Sequence, residues 1–291
     1  MSNITAAMVK ELRERTGSAM MDCKKALTET NGDMEAAIDL MRKNGLAKAD
    51  KKSDRAAAEG LLLVRQNASK ALILEVNCET DFVTKNEDFL KFANDAADIA
   101  LNSDVTTVEE LGAQALNGST VDEVRKGLIA KIGENMNVRR LTVLNATGIL
   151  GAYVHGGRIA AIVEVEGGDE DLAKDVAMHI AAANPVCIDA SEVPAEMLDR
   201  ERDIYSAQAA ESGKPADIVE KMVEGRIRKY LEEVTLEGQA FIKDPDMSVG
   251  KLLKSKSAKV KAFVRFELGE GVEITTIDFA TEVMAQAGLS K

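Results

Sequence analysis

The chain has no tryptophan and few residues suited to aromatic, thiol or imidazole chemistry. Its 291 residues include three tyrosines, seven phenylalanines, three cysteines and two histidines. An odd number of widely spaced cysteines argues against a disulfide framework and for a reducing compartment. The scarcity of aromatic rings also removes the stacking platforms on which single-stranded nucleic acids bind.

Positive charge and long apolar runs are in short supply too. Lysine and arginine total 37 against 49 acidic residues, which leaves a formal net charge of −12. Direct binding of nucleic acid is not expected, because it needs clustered Lys and Arg. No apolar run approaches the roughly 20 residues of a membrane helix, and the early charged residues are unlike a secretory signal. The sequence therefore predicts a cytoplasmic, globular protein that makes no membrane contact.

The motifs of common enzyme classes are absent. The sequence has no GxxxxGK[ST] phosphate loop, no GxGxxG after a strand, and no CxxC, HExxH or GxSxG. His155 precedes Gly156-Gly157 without an obvious partner for general-base chemistry, and His179 is expected to be a packed or half-exposed residue of a helix. No enzymatic activity, cofactor or metal therefore has specific support, although the many acidic residues leave paired-carboxylate catalysis open. An acidic α+β hydrolase that uses carboxylates and His155 is the alternative.

The first 46 residues predict three short helices. Helices this short are stable only when they pack on one another, so a small three-helix domain is expected. Its predicted caps and helix ends are, in chain order, Thr5, Gly17, Ser18, Asp33 and Asn44-Gly45. Residues 47–58, which carry Lys48, Lys51, Lys52 and Arg55, are interpreted as a solvated linker, with a contact strip for an acidic partner as the alternative.

After this linker the apolar pattern changes to that of strands. Residues 61–65 and 71–77 predict a hairpin, and a helix capped by Asn86 follows. The same order recurs from Gly148, where ILEVN at 73–77 aligns with IVEVE at 162–166. The repetition predicts a duplicated α+β core built on antiparallel sheets.

A helical hairpin interrupts the second copy of the core. Two helical stretches meet at Gly213-Lys214-Pro215, a strand resumes at Val260, and a last helix is predicted over residues 278–287. The predicted organisation is a three-helix domain (1–46), a linker (47–58), core subdomains (59–147, and 148–184 with 235–270), an inserted helical hairpin (185–234) and a C-terminal helical module (271–291).

Phe82 stands between a predicted strand and a predicted helix, beside Asp81. From the residues alone, burial of Phe82 in the protein's own core is favoured over its presentation as an anchor for a partner. Cys23 and Cys78 are expected to be small core residues.

Several segments carry a resemblance to a known family. The segments LRERTGSAMMDCKKAL (12–27) and NCETDFV (77–83) together resemble the bacterial elongation factor Ts family. Further similar segments, in the same order along the chain, are KIGENMNVRR (131–140), HGGRIA (155–160), SGKPADIVEKMVEGR (212–226) and FVRFELGEG (263–271). The resemblance implies an N-terminal ubiquitin-associated-like domain, a two-part core, an antiparallel coiled-coil hairpin and a C-terminal helix.

The resemblance also implies a function and a set of contact residues. Members of this family are guanine-nucleotide exchange factors for the GTPase elongation factor Tu. The resemblance places Asp81 and Phe82 in a cleft of that partner, near its magnesium and phosphate site. The residues that match family contacts are Thr80, Asp81, Phe82 and Val83 in one motif, and Arg13, Met20, Met21, Ile132 and His155 elsewhere. A homodimer or two-plus-two complex formed through residues 185–234, and a dimeric scaffold without exchange activity, remain alternatives.

Overall fold

The computed structural model describes residues 4–211 and 215–273, which form α-helices and antiparallel sheets. The predicted α+β class is therefore confirmed. The chain divides into two compact units. The first unit consists of Met1–Leu61, Glu75–Leu141 and Leu268–Lys291, and the second of Leu62–Leu74 and Thr142–Glu267.

Three helices open the chain: α1 (Ala6–Thr16), α2 (Met20–Glu29) and α3 (Met34–Asp50). As predicted, the Thr5 hydroxyl accepts the N–H of Met8 and the Asp33 carboxylate accepts the N–H of Ala36. Gly17 ends α1 in the left-handed conformation, at a φ of 64°. Apolar side chains from all three helices form a small core that contains Val9, Leu12, Cys23, Ala26, Leu27 and Ala37.

The predicted N-cap of α2 is wrong. Ala19 occupies the cap position, and no side chain caps this helix. Ser18 instead donates its backbone N–H to the hydroxyl of Thr16, at 3.3 Å. The chain between α1 and α2 is thus tied back to α1.

Both strands and helices follow α3 in the first part of the core. They are β1 (Glu59–Gln66), β2 (Lys70–Cys78), a 3₁₀ turn (Val83–Lys85), α4 (Glu87–Asn102), α5 (Val108–Gly112), β3 (Ala115–Leu116), β4 (Ser119–Thr120), α6 (Val121–Ile132) and β5 (Met136–Asn145). Three of the strands form one sheet in the order β1-β2-β5. The predicted N-terminus of α4 is confirmed, because Asn86 caps this helix. At the start of α6, Thr120 forms a capping box with Glu123.

The predicted end of α3 at Asn44-Gly45 is also wrong, since the helix continues to Asp50. Gly45 serves the packing of α3 on α6, where a Cβ at this position would lie 3.4 Å from the Cβ of Ala130. A glycine that lets two helices approach is hard to distinguish, in sequence, from a glycine that ends a helix. Residues 47–50, predicted as linker, are therefore helical.

Three cations of the predicted linker have partners within the first unit, and the Nζ of Lys48 lies 3.0 Å from a carboxylate oxygen of Asp22. Lys52 donates from Nζ to the carbonyl of Gly133. Arg55 lies 3.5 Å from a carboxylate oxygen of Glu79. Gly133 and Glu79 thus hold this part of the predicted linker by specific polar contacts.

The second unit repeats the order of a hairpin followed by a helix, as predicted. Its elements are β6 (Ile149–His155), β7 (Ile159–Glu166), α7 (Glu170–Ala183), a 3₁₀ turn (Ala190–Glu192), α8 (Ala195–Ala210), α9 (Ala216–Val234), β8 (Ala240–Phe241), β9 (Asp244–Ser248), α10 (Val249–Ser255) and β10 (Lys259–Glu267). The sheet order is β10-β7-β6, with antiparallel neighbours. Leu172, Val176 and Ile180, spaced by four residues along α7, are buried in the core of this unit.

Helices α8 and α9 pack on each other and form the predicted hairpin. Residues 212–214 between them lie outside the described residues, as does the C-terminal helix predicted over residues 278–287. The short elements β8, β9 and α10 were not predicted, because two to seven residues are too few to show a period. Within the described ranges, no helix combines the length and apolar character needed to span a bilayer.

Candidate partner-binding loop

The segment Thr80–Val83 lies in the loop between β2 and α4, and its backbone is held by local hydrogen bonds. Each of its four carbonyls accepts a bond from a residue two or three positions away. The donors are, in order, the thiol of Cys78, the hydroxyl of Thr84 and the N–H groups of Lys85 and Asn86, at 3.1, 2.6, 3.2 and 2.9 Å. The loop therefore has a defined conformation.

Phe82 points into solvent, with 78% of its surface exposed. The prediction from the residues alone, that Phe82 packs in the core, is wrong. The next residue, Val83, takes the buried position and is 5% exposed. Asp81 is exposed as well, and its carboxylate forms no hydrogen bond or ion pair with the residues that the structure describes. An exposed aromatic side chain is typical of the anchors with which proteins bind their partners.

A crossed pair of carboxylates joins this loop to the turn between α6 and β5. Glu134 accepts the N–H of Thr80 at 3.0 Å and the Thr80 hydroxyl at 2.8 Å. In the other direction, Glu79 accepts the N–H of Asn135 at 2.5 Å. Two segments of the chain that resemble the family, NCETDFV and KIGENMNVRR, are therefore in direct contact.

Lys131 connects the same loop region to the first helices. Its Nζ lies 2.6 Å from a carboxylate oxygen of Asp88, in the first turn of α4. On the other side, a Cβ at Gly17 would lie 2.9 Å from the Nζ of Lys131, so a glycine leaves room for this side chain. The turn between α1 and α2 is thus brought close to the start of α4.

Met20 and Met21, at the start of α2, are also exposed, by 55% and 73%. Together with Phe82, they are the exposed large hydrophobic residues among the described residues of the first unit. Arg13 is exposed near the end of α1. These three exposed side chains of α1 and α2 are accessible to another molecule, and the family resemblance implies that they contact one.

The remaining predicted contacts differ in their placement. Ile132 is the last residue of α6 and is half-buried, directly after Lys131. His155 belongs to the second unit, at the exposed end of β6. Its Nδ1 lies 3.4 Å from the hydroxyl of Tyr153, and the two rings stack at 6.3 Å between centroids.

The two histidines have surroundings unlike those of a general base. No carboxylate among the described residues bonds to His155, whose described polar partner is Tyr153. His179 is packed rather than half-exposed. Its ring contacts Gln239 at 3.0 Å and the N–H of Ile242 at 3.2 Å. A general base needs a group that orients it and access to substrate. The hydrolase hypothesis gains no support from the described geometry.

Cys78 lies at the base of the loop and is fully buried, as is Cys23. Burial, with the nearby carboxylates of Glu134 and Glu59, raises the pKa of the Cys78 thiol to about 12. A thiol with so high a pKa is a poor nucleophile at neutral pH. The prediction that both cysteines are core residues is confirmed.

Sequence reasoning missed the two residues that connect these elements, Glu134 and Lys131. Both lie in KIGENMNVRR, where the family resemblance singles out only Ile132. The separations of 54 residues from Thr80 to Glu134 and 43 from Asp88 to Lys131 leave no local pattern to detect. Only the fold reveals these contacts.

The chain is similar to known proteins over nearly its whole length. Residues 79–270 match the family described as Elongation factor TS. The chain is 62% identical to elongation factor Ts of Thioalkalivibrio sulfidiphilus over 98% of both chains. It is also 62% identical to that of Methylococcus capsulatus, over 99% of this chain and 100% of the relative. Identity to the Legionella pneumophila (strain Lens) protein is 53%, over 98% and 99% of the two chains. The chain therefore belongs to the elongation factor Ts family of translation elongation factors.

Proposed function

We propose that this protein is the guanine-nucleotide exchange factor for elongation factor Tu, acting in the cytoplasm without a cofactor or catalytic residue of its own. In this proposal Asp81 and Phe82 enter the partner near its magnesium and phosphate site and promote release of GDP. The observation that carries the proposal is the exposure of Phe82 on a loop whose backbone is fixed by hydrogen bonds. Beside it lies Asp81, whose carboxylate has no partner among the described residues.

The energetics require more than one contact. GDP held at about nanomolar affinity corresponds to roughly 12 kcal/mol. With an association rate of about 10⁶ M⁻¹s⁻¹, it would leave about once in 10³ seconds. A thousandfold acceleration needs roughly 4 kcal/mol less barrier, whereas burial of one Phe supplies about 1.5–3 kcal/mol. The other exposed residues, Met20 and Met21, are therefore expected to contribute, together with Arg13, Ile132 and His155.

Charge gives Asp81 a distinct role. Bound magnesium compensates the negative phosphates of a nucleotide, so its displacement would weaken their hold. An unpartnered carboxylate near that site would disfavour the phosphates and compete for the cation. Because coupling is reciprocal, GDP would lower the affinity of the partner for this protein by the same factor.

Self-association is a separate part of the proposal. Helices α8 and α9 carry exposed Ile204 and Ile218, and Val219, Val223 and Ile227 of α9 are only half-buried. Such a surface would suit a homodimer or a two-plus-two complex with the partner. Sedimentation of the protein alone and with elongation factor Tu would decide between these states and a one-to-one complex.

The exchange function is tested by stopped-flow release of a fluorescent GDP from bacterial elongation factor Tu in excess magnesium. We expect the parent protein to accelerate release strongly and Phe82→Ala to lose much of that effect. Ile242→Ala is the matched control, because Ile242 is also an exposed hydrophobic residue, 47% exposed, outside the proposed contacts. All three proteins should have the same thermal stability, since neither substituted side chain is buried.

Two results would contradict the proposal. No acceleration by the parent protein would argue against exchange activity. Equal activity of Phe82→Ala and the parent would argue against insertion of Phe82, while leaving exchange itself intact.

A further inference from the structure

We propose that Glu134 is a positioning residue, whose carboxylate holds Thr80 and thereby presets Asp81 and Phe82 for insertion into the partner. This inference rests on the proposed exchange function and adds a residue that lies outside the inserted motif. Its action would be indirect, through the conformation of the loop.

The contact between Glu134 and Thr80 uses both oxygens of the carboxylate. Oε2 accepts the backbone N–H of Thr80, and Oε1 accepts its hydroxyl. Hydrogen bonds to an ionised acceptor are stronger than neutral ones. Since Thr80 directly precedes Asp81 and Phe82, the Glu134 carboxylate restrains the backbone at the residue before the exposed pair.

Glu134 is itself held in place by its neighbours. The carbonyl of Gly133 accepts a bond from Lys52, and the N–H of Asn135 is donated to Glu79. The side-chain amide of Asn135 donates to the carbonyl of Arg55 at 2.8 Å. The turn that carries Glu134 is therefore fixed from three directions.

The exposed pair consequently lies between two anchors. Thr80 is held by Glu134 on one side, and Val83 is buried on the other. A loop that is ordered before binding loses less conformational entropy when it inserts. Without the carboxylate, we expect the loop to sample other conformations and to engage the partner less often.

The test combines Glu134→Ala and Phe82→Ala in a double-mutant cycle of nucleotide release from elongation factor Tu. Loss of two charge-assisted hydrogen bonds should lower the apparent second-order rate of exchange by roughly tenfold or more. If Glu134 acts by presenting the inserted pair, adding Glu134→Ala to Phe82→Ala should cause little further loss. A purely structural role would instead reduce activity by the same factor in both backgrounds.

Two further variants separate positioning from general stability. Glu134→Gln should recover most activity, because its amide oxygen can accept the N–H of Thr80 and its amide nitrogen can donate to the hydroxyl. Glu123→Ala is the matched control at the other end of α6, where the carboxylate accepts bonds from Arg42 and Ser119. It should lower stability comparably and leave exchange unchanged.

Amide hydrogen exchange of the free protein gives a readout that does not depend on the partner. We expect faster exchange at Thr80 and the following loop residues in Glu134→Ala than in Glu123→Ala. Parent-like nucleotide release by Glu134→Ala, while Phe82→Ala is impaired, would overturn the positioning role alone. Parent-like release by Phe82→Ala would overturn insertion, and the positioning role with it, even if the loop amides of Glu134→Ala still exchange faster.

Discussion

Glu75 and Glu164 occupy the same position in the two copies of the strand repeat, ILEVN and IVEVE, and both are buried. Their partners differ. Arg139 and Arg140 both bond to Glu75, whereas one oxygen of Glu164 accepts the N–H groups of Thr147 and Gly148, each at 2.9 Å. Both copies of the repeat thus contain a buried acid, which arginine side chains stabilise in the first copy and backbone N–H groups stabilise in the second.

Replacement of these two acids by glutamine should have unequal effects. Glu75→Gln removes the charge that balances two guanidinium groups, so we expect a loss of about 3 kcal/mol of folding free energy. This is the low end for a buried pair, because the two arginine side chains are 26% and 27% exposed. Glu164→Gln keeps the oxygen that accepts both N–H groups and should cost less than about 1 kcal/mol. Urea denaturation at neutral pH measures both, and equal losses would contradict this reasoning.

Glu75 should also contribute to acid sensitivity. Burial alone would raise its pKa, but hydrogen bonds from Arg140, from the N–H of Gly269 and from Asn77 outweigh burial and hold the pKa below its ordinary value of 4.5. A carboxyl with a lowered pKa stabilises the fold above the unfolded pKa, and this stabilisation is lost as pH falls below about 4.5. We expect the stability difference between the parent and Glu75→Gln to shrink between pH 6 and 3, which repeated urea titrations would measure. A constant difference would indicate that charge is not its cause.

Two glycines of the second unit should respond in opposite ways to alanine. A Cβ at Gly151 in β6 would lie 2.2 Å from the carbonyl oxygen of Ala173 in α7, so the helix or the strand must move. We expect Gly151→Ala to cost about 3 kcal/mol or more. A Cβ at Gly225 in α9 meets nothing within 4 Å among the described residues, so Gly225→Ala should stabilise by roughly 0.5–1 kcal/mol. Thermal denaturation of both variants should shift in opposite directions.

Local patterns in the sequence predicted much of the fold. Capping residues such as Thr5, Asn86 and Thr120 act on their own helices, so their signals are local and survive in the sequence. The predicted end of α3 is wrong because Gly45 packs against Ala130 of α6, which lies more than 80 residues later in the chain. Tertiary packing overrides local signals at such positions.

The candidate site was less predictable from residue chemistry. Burial of Phe82 was the reasonable expectation for an aromatic residue at a strand end, and only the family resemblance favoured exposure. The fold exposes Phe82 because Val83 fills the core position and the loop is held by Glu134. That carboxylate acts across 54 residues of sequence, beyond the reach of any periodicity.

Met20 and Met21 should matter for binding but not for stability. Both side chains are exposed, so Met20→Ala and Met21→Ala should leave the thermal midpoint almost unchanged. If they contact elongation factor Tu, each substitution should weaken binding by about 1–2 kcal/mol, or roughly tenfold in affinity. Ile242→Ala, at an exposed position outside the proposed contacts, is the matched control for titration calorimetry. Affinities equal to that of the control would remove these methionines from the interface.

His179 is 1% exposed and bonds to the segment that follows α9. Its Nδ1 accepts the N–H of Ile242, and its Nε2 contacts the amide oxygen of Gln239, so the hydrogen-bonding pattern requires a neutral ring. Burial lowers the pKa of His179 below its ordinary value of 6.5, although the bond to Gln239 opposes this shift. The stability that depends on the neutral ring is complete above pH 6.5 and declines as pH falls below that value. We expect the parent to lose stability between pH 7.5 and 5.5, whereas His179→Gln should be less stable at pH 7.5 but nearly independent of pH over this range. The same slope in His179→Gln as in the parent would show that the buried ring is not the titrating group.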